Sequence, residues 1–223
     1  MPLFAPHIIT PDSALGGIQI EKSLRFNSGD TAYLERTPSS ASNRKTFTWA
    51  GWIKYLVDSN TRQGFFSCDD GSGHSTLEFD GKKMMWNTAS FGWSKSAEEF
   101  RDFNGWSHVV FVHDTTQDQA EDRLKLWVNG AQCRFSDDSN MSNWSQHVET
   151  NHNYVNVEQY LAVQHGGGNH WFEGYMMDVY YVDGLALRPE DFGYFKRGKG
   201  VQNISNNSRT TEHANGKWAP SLP

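Results

Sequence analysis

Short runs of apolar residues recur along the whole chain, alternating with polar ones, and most of their large members are aromatic or β-branched. The clearest are Ser23–Asn27, Phe47–Lys54, Trp106–Val112, Leu124–Gly130 and Phe172–Gly184. These are strand signatures, because successive side chains of a strand point to opposite faces and a half-buried sheet needs an apolar residue at every second position. Several runs end at Asn, Asp or Gly, where a chain reverses easily. In residues 46–55 the alternation sets Phe47, Trp49, Gly51 and Ile53 on one face and Trp52 on the other. Two strands are predicted within 23–36 around the turn Asn27–Asp30, and a hairpin from Gly64–Cys68 and His74–Phe79. A strand at Lys83–Asn87 follows Asp80-Gly81. Residues 106–114 and 123–128 are strands joined by the acidic loop 115–122, and 157–164 and 171–183 complete the set. Residues 88–104 are predicted to form a long loop with one helical turn at 97–100, and residues 131–156, rich in Asn, Ser, Asp and His, the longest departure from the sheets. Leu185–Gly193 predicts a short helical turn with Pro189 just inside its start.

The chain therefore reads as one all-β domain, 23–193, a two-sheet antiparallel β-sandwich with long loops. It is flanked by an N-terminal arm, 1–22, interrupted by Pro2, Pro6 and Pro11, and by a C-terminal tail, 194–223, that lacks a hydrophobic period. A length of 223 residues suits a single sandwich with a core that needs no covalent staples. The aromatic content of 14%, with nine Trp, supplies the bulk that fills the space between two sheets.

Charge and cysteine usage exclude some classes. A duplex-binding module carries a basic face, whereas this chain has a net charge of −6, and its longest basic cluster, Lys196–Lys199, reads as a solvated loop. No nucleic-acid partner is expected. No run approaches the roughly 18 apolar residues of a membrane span, so no membrane insertion is expected either. Met1–His7 lacks the basic start and apolar stretch of a secretory signal, which implies folding in a cytoplasm and makes the sequons at Asn140, Asn143, Asn203 and Asn206 chance matches. Cys68 and Cys133 either pair or stay free as buried thiols; the second is preferred, since disulfide frameworks use more, closely spaced cysteines.

Candidate chemistry is sparse. Nucleophile elbows and the His-Glu-x-x-His zinc pattern are absent from the sequence. His165–His170 is Gly-rich but lies between two strands and opens no helix, so it reads as a turn. His147, His152, His165 and His170 lack metal-site spacing. Loop tryptophans beside Asn or His are the usual materials of sugar recognition, and Trp93, Trp144 and Trp171, with Asn143, Asn169 and His170, are the glycan-binding candidates. Trp49, Trp52, Trp106 and Trp127 lie on strands and are expected mostly in the core.

Trp106-Ser107-His108-Val109-Val110, Leu126-Trp127-Val128-Asn129-Gly130 and the closing stretch Phe172–Leu187 resemble the laminin-G-like, concanavalin A-like jelly roll. The resemblance extends over most of 23–193 and implies a mostly non-catalytic binding scaffold. Ser23–Asn27 with Ala32–Thr46, Asp183–Gly193 and Gly216–Pro220 are in addition similar to virion-associated proteins of marine phages, in which such modules serve as tail fibres, adhesins or capsid appendages.

Laminin-G-like domains often hold calcium at a loop rim, and Asp69 and Asp70 offer adjacent carboxylates for it, although no cofactor is required. The related glucanases place carboxylates on one strand as Glu-x-Asp-x-Glu. Here Glu78-Phe79-Asp80-Gly81-Lys82 has lysine at the third position, so catalysis is not expected. Glu173 and Asp178, five residues apart, cannot share a face of one regular strand, and Asp178 is read as structural. The expectation is a non-enzymatic virion protein, tail fibre or capsid decoration, that attaches to host-surface glycan. The alternative is a structural component that binds other virion proteins through its terminal arms. A homo-oligomer, such as a trimer, fits both.

Overall fold

A computed structural model describes residues 22–56, 61–71, 73–103, 105–136, 141, 144–164 and 170–192, with two further two-residue strands, Gly17–Ile18 and Ile204–Ser205. In chain order the strands are β1 (Gly17–Ile18), β2 (Leu24–Phe26), β3 (Leu34–Arg36), β4 (Thr46–Tyr55), β5 (Arg62–Asp69), β6 (His74–Asp80), β7 (Lys83–Thr88) and β8 (Gly92–Lys95). They continue with β9 (Ser107–Asp114), β10 (Leu124–Val128), β11 (Ala131–Cys133), β12 (Glu158–Leu161), β13 (Val163–Gln164), β14 (His170–Trp171), β15 (Gly174–Asp183) and β16 (Ile204–Ser205). The one α-helix among the described residues, α1 (Pro189–Phe192), is the short turn predicted after Leu185. The chain divides into two compact units, residues 22–187 and a second made of 1–21 with 188–223. The second holds α1 and the antiparallel pair β1–β16.

The first unit is the expected sandwich. One six-stranded sheet runs β11-β10-β9-β4-β15-β2 and the other β3-β12-β5-β6-β7-β8, with antiparallel neighbours throughout. Alternation along β4 sends Phe47, Trp49 and Ile53 into the space between the sheets, where Phe65, Leu77, Phe79, Met84, Trp86, Phe111 and Phe172 meet them. Full burial of a large apolar side chain stabilises by about 1.5–3 kcal/mol, so this aromatic layer is the main source of fold stability. On β15 a bulge between Met177 and Tyr180 interrupts the pairing with β4, and Asp178 sits there at φ 52°. Its carboxylate accepts a 2.5 Å hydrogen bond from the Tyr180 hydroxyl, while Glu173, before the strand, is tied to Ser28 and Arg25.

Several expectations are corrected. Residues 88–104 are not a plain loop but contain β8, and Ala97 and Glu98 form a bend, followed by irregular chain at 99–100, rather than a helical turn. Residues 131–156 do not depart from the sheets throughout: they begin with β11, and Trp144 and His152, both 0% exposed, fill the core beside Trp86. Trp106 and Trp127 are only half-buried. Cys68 and Cys133 are free and buried, and burial pushes the Cys133 thiol up to about 12.

Candidate functional site

The second sheet carries its chemistry on the face turned away from the core. On β6, Leu77 and Phe79 face inward, so His74, Thr76, Glu78 and Asp80 face outward. On β7, Met84 and Trp86 face inward and Met85 and Asn87 outward. Register then places Trp93 opposite Asn87 and Lys95 opposite Met85 on β8, with Arg62 opposite Asp80 and Gly64 opposite Glu78 on β5. Cross-strand partners share a face, so these residues form one surface.

A short hairpin is fastened on top of it. After β12 the chain turns at Ala162, φ 70°, and β13 pairs with β14 above β5. Glycine is required beneath: a Cβ at Gly64 would lie 2.8 Å from Gln164 Cβ and 2.9 Å from the Val163 carbonyl carbon. The Ser67 hydroxyl donates to the Val163 carbonyl oxygen at 2.6 Å and pins the same spot. The hairpin brings His170 Nδ1 to 3.6 Å from Glu78 Oε2.

Glu78 is the hub. Its carboxylate is 0% exposed. Oε1 accepts from Asn87 Nδ2 at 3.2 Å and faces Arg62 Nη1 at 3.8 Å. Oε2 has no hydrogen-bond partner among the described residues. Asn87 Nδ2 also lies 3.2 Å from His74 Nε2. Burial lowers the pKa of His74, against the opposing pull of Glu78, so its imidazole is held neutral. Nearer the β8 edge, Lys95 Nζ meets Asp80 Oδ2 at 2.5 Å and stands 4.9 Å from the centre of the half-buried Trp93 ring. The result is a flat indole framed by oriented donors and acceptors, the materials that hold a polar ligand with flat apolar faces.

Of the sequence candidates, Trp93 and His170 lie on this surface, linked through Asn87 and Glu78. Trp171 lies on the other flank of the hairpin, 5.8 Å from the Tyr33 ring, which is itself 5.9 Å from the Tyr160 ring. Trp144 is corrected: with no exposed surface and its Nε1 donating to the Ser94 hydroxyl at 3.3 Å, it is a core residue that no ligand can stack on. Asn143 and Asn169 lie outside the described residues. Asp69 and Asp70 cap their own turn, accepting from the backbone of Gly71 at 2.7 Å and of Gly73 at 2.8 Å. Among the described residues no three His, Cys, Asp or Glu side chains converge to hold a metal ion. Arg62, His74, Asn87 and Lys95 were missed. For His74 and Asn87 the signal was the alternation of polar residues with the buried Leu77, Phe79, Met84 and Trp86. The carboxylate pattern starting at Glu78 does not continue, since β6 ends at Asp80 and Gly81, φ 60°, begins the turn that carries Lys82 away.

Comparison with known proteins agrees with this architecture. Residues 27–191 match the family model of laminin G type described as the concanavalin A-like lectin/glucanases superfamily. No curated protein sequence matches. Among solved structures, domain 4 of AbnA, a GH43 extracellular arabinanase from Geobacillus stearothermophilus, in complex with arabinotriose, is similar at 16% identity and TM-score 0.55, covering 77% of this chain and 75% of that one. Domains LG4-5 of the mouse laminin α1 chain are similar at 11% identity and TM-score 0.51, covering 74% of this chain and 43% of that one. The binding domain of botulinum neurotoxin serotype G is similar at 10% identity and TM-score 0.50, covering 74% and 40%. At these identities the likeness is one of fold. With the family model spanning the sandwich from Asn27 to Asp191, the chain belongs to the concanavalin A-like lectin/glucanases superfamily.

Proposed function

We propose that the protein binds glycan on the outer face of its second sheet and that it does so as a non-enzymatic virion protein of a phage, attaching to a host surface. The observation that carries the glycan reading is the half-buried Trp93 opposite Asn87 in register, within a frame of Arg62, Asp80, Lys95 and His170 organised by the buried Glu78. Sugar rings offer alternating apolar faces and hydroxyl edges, which this pairing of indole and fixed polar groups matches. The arabinanase domain of related fold, in complex with arabinotriose, supports the same reading. The non-enzymatic part is supported by the incomplete Glu-x-Asp-x-Glu pattern, whose third carboxylate is replaced by Lys82 in the turn after β6. The phage part is supported by the sequence resemblance of residues 23–27 with 32–46, 183–193 and 216–220, and a homo-oligomer such as a trimer suits an attachment protein.

The test is a glycan array with the folded protein, run with and without calcium. Binding that is lost in Trp93→Ala and Asn87→Ala supports an attachment lectin. Silence from folded protein would overturn that role and leave a structural virion component, joined to other virion proteins through its terminal segments.

A further inference from the structure

We infer that the space between the β13–β14 hairpin and the second sheet is a metal site, in which Glu78, His170, Gln164 and Thr76 hold one zinc ion that clips the hairpin to the sheet. Such a site stands whether or not the sheet binds glycan.

Four unsatisfied atoms gather there. Buried polar atoms in native proteins are nearly always hydrogen-bonded, and each exception needs a physical reason. Thr76 Oγ1, Glu78 Oε2, Gln164 Oε1 and His170 Nδ1 are buried atoms with no hydrogen-bond partner among the described residues. Three of them belong to side chains that are themselves closed off, Thr76 and Glu78 at 0% exposure and Gln164 at 1%. A buried polar atom left alone costs about 1–3 kcal/mol, and a carboxylate oxygen costs more.

Register brings the four together. Thr76 and Glu78 are two residues apart on β6 and share the face beneath the hairpin. Glu78 is opposite Gly64, and Gln164 Cβ lies over that glycine, 2.8 Å from where a Cβ would stand. Thr76 is opposite Ser67, whose hydroxyl donates to the carbonyl oxygen of Val163, the residue before Gln164. His170 pairs with Gln164 across the hairpin and aims Nδ1 at Glu78 Oε2. Asn87 and Arg62 engage the other carboxylate oxygen, Oε1, which leaves Oε2 to the hairpin side.

The spacing of the two strongest donors selects the occupant. Nδ1 and Oε2 are 3.6 Å apart. That is longer than a hydrogen bond of about 2.7–3.2 Å, and shorter than the roughly 4.5 Å that two hydrogen bonds to one water span at a tetrahedral angle. Donors about 2.0–2.2 Å from a tetrahedral zinc ion stand roughly 3.3–3.6 Å apart. The donor types agree. Oxygens alone would suit calcium or magnesium, whereas an imidazole nitrogen beside a carboxylate suits zinc. Only two of the four donors are His, Cys, Asp or Glu, which is consistent with the lack of any triad of those residues among the described ones.

The test adds zinc to the full chain after chelator treatment and removal of the chelator, with binding read by calorimetry and stability by urea unfolding. One zinc per chain is expected, with an unfolding midpoint that rises with zinc concentration, because a ligand held only by the folded state stabilises it. The chain has nine histidines, so variants identify the ligands. His170→Phe and Glu78→Gln should each weaken zinc binding roughly tenfold or more and abolish the rise in midpoint. Thr76→Val and Gln164→Leu should weaken binding less, and His147→Ala should leave it unchanged. Each variant is compared with its own zinc-free midpoint, so a general loss of stability does not mimic the result. Cobalt(II) in place of zinc should show the intense visible absorption of a four-coordinate ion, lost in His170→Phe. Failure of the folded chain to bind zinc, binding that survives both His170→Phe and Glu78→Gln, or an equal rise in midpoint with calcium or magnesium would overturn the site.

Discussion

His170 reaches the sheet through Glu78: its Nδ1 stands 3.6 Å from Oε2 of a carboxylate that is 0% exposed, and neither atom makes a hydrogen bond among the described residues. A charge removed from water costs several kcal/mol unless its partners compensate, and here the partners are Asn87, Arg62 and His170. Replacing a whole buried ion pair by apolar residues is often neutral or stabilising, and removing Glu78 alone comes close to this because Arg62, its side chain 38% exposed, can turn to water and leaves no buried cation behind. Glu78→Leu is therefore expected to keep or raise the midpoint of urea unfolding while lowering glycan affinity about tenfold, since Asn87 and Arg62 lose the acceptor that orients them. A parallel fall in stability and affinity would show instead that Glu78 serves the fold.

Gly64 tests whether the hairpin position matters. An added methyl group there collides with the backbone nitrogen of Gln164 as well as with Val163, so Gly64→Ala must lift β13 from the sheet. The expected cost is about 1–3 kcal/mol of stability, as for other overpacked sites, with a loss of affinity because His170 moves with β14. Gly71→Ala is the control. Its Cβ would meet nothing within 4 Å, so only the strain of φ +80° is felt, about 1 kcal/mol, and binding should not change. Urea unfolding and titration of both variants separate the two effects.

The strands could be read in the sequence because each holds a long alternation: Phe47–Ile53 on β4 and Val109–His113 on β9 specify both the strand and its buried face. The same logic failed at β8, where Gly92-Trp93-Ser94-Lys95 offers one large apolar residue and its pairing partner β7 lies beyond a turn. The site was legible only in fragments. Trp93 and His170 stood out as residue types, but their placement on one surface depends on sheet register and on Ala162 turning the chain over Gly64, which are tertiary facts. Trp144 was misplaced for the converse reason: Asn143-Trp144-Ser145 has the composition of an exposed loop, and only packing against Trp86 and Phe91 reveals a core residue.

Trp144 accordingly makes a prediction opposite in kind to Trp93. Removing a fully buried indole leaves a cavity, and Trp144→Ala should cost about 3–5 kcal/mol. The Arg123 guanidinium donates to the Trp144 carbonyl oxygen, a backbone contact that the substitution leaves in place, so the loss should come from packing. Glycan affinity per folded molecule should be unchanged at a temperature where the variant is folded. Trp93→Ala should show the reverse, near-native stability with lost binding. Calorimetric titration with thermal unfolding distinguishes them.

Acid should weaken the fold through the core histidines. His113 stacks on Phe47 at 5.1 Å and His152 on Phe66 at 4.6 Å, and both are fully buried. Burial pushes His113 down to about 4 and His152 down to about 3, since charging either ring would place a cation among aromatic side chains. In the unfolded chain both titrate near 6.5. Below that pH the unfolded state takes up protons that the folded state refuses, so stability is at its full value above about 6.5 and falls as the pH drops towards 4 for His113 and towards 3 for His152. Each histidine contributes a slope of up to about 1.4 kcal/mol per pH unit in its window. His152→Phe keeps an aromatic ring in the core and removes the titration. Urea unfolding at pH 7.5, 6 and 5 should show a steep decline for the natural chain and a shallower one for His152→Phe, with the two converging above neutrality except for a constant offset. Parallel curves would mean that the acid sensitivity arises elsewhere, with His108, buried and lowered for the same reason, the next group to test.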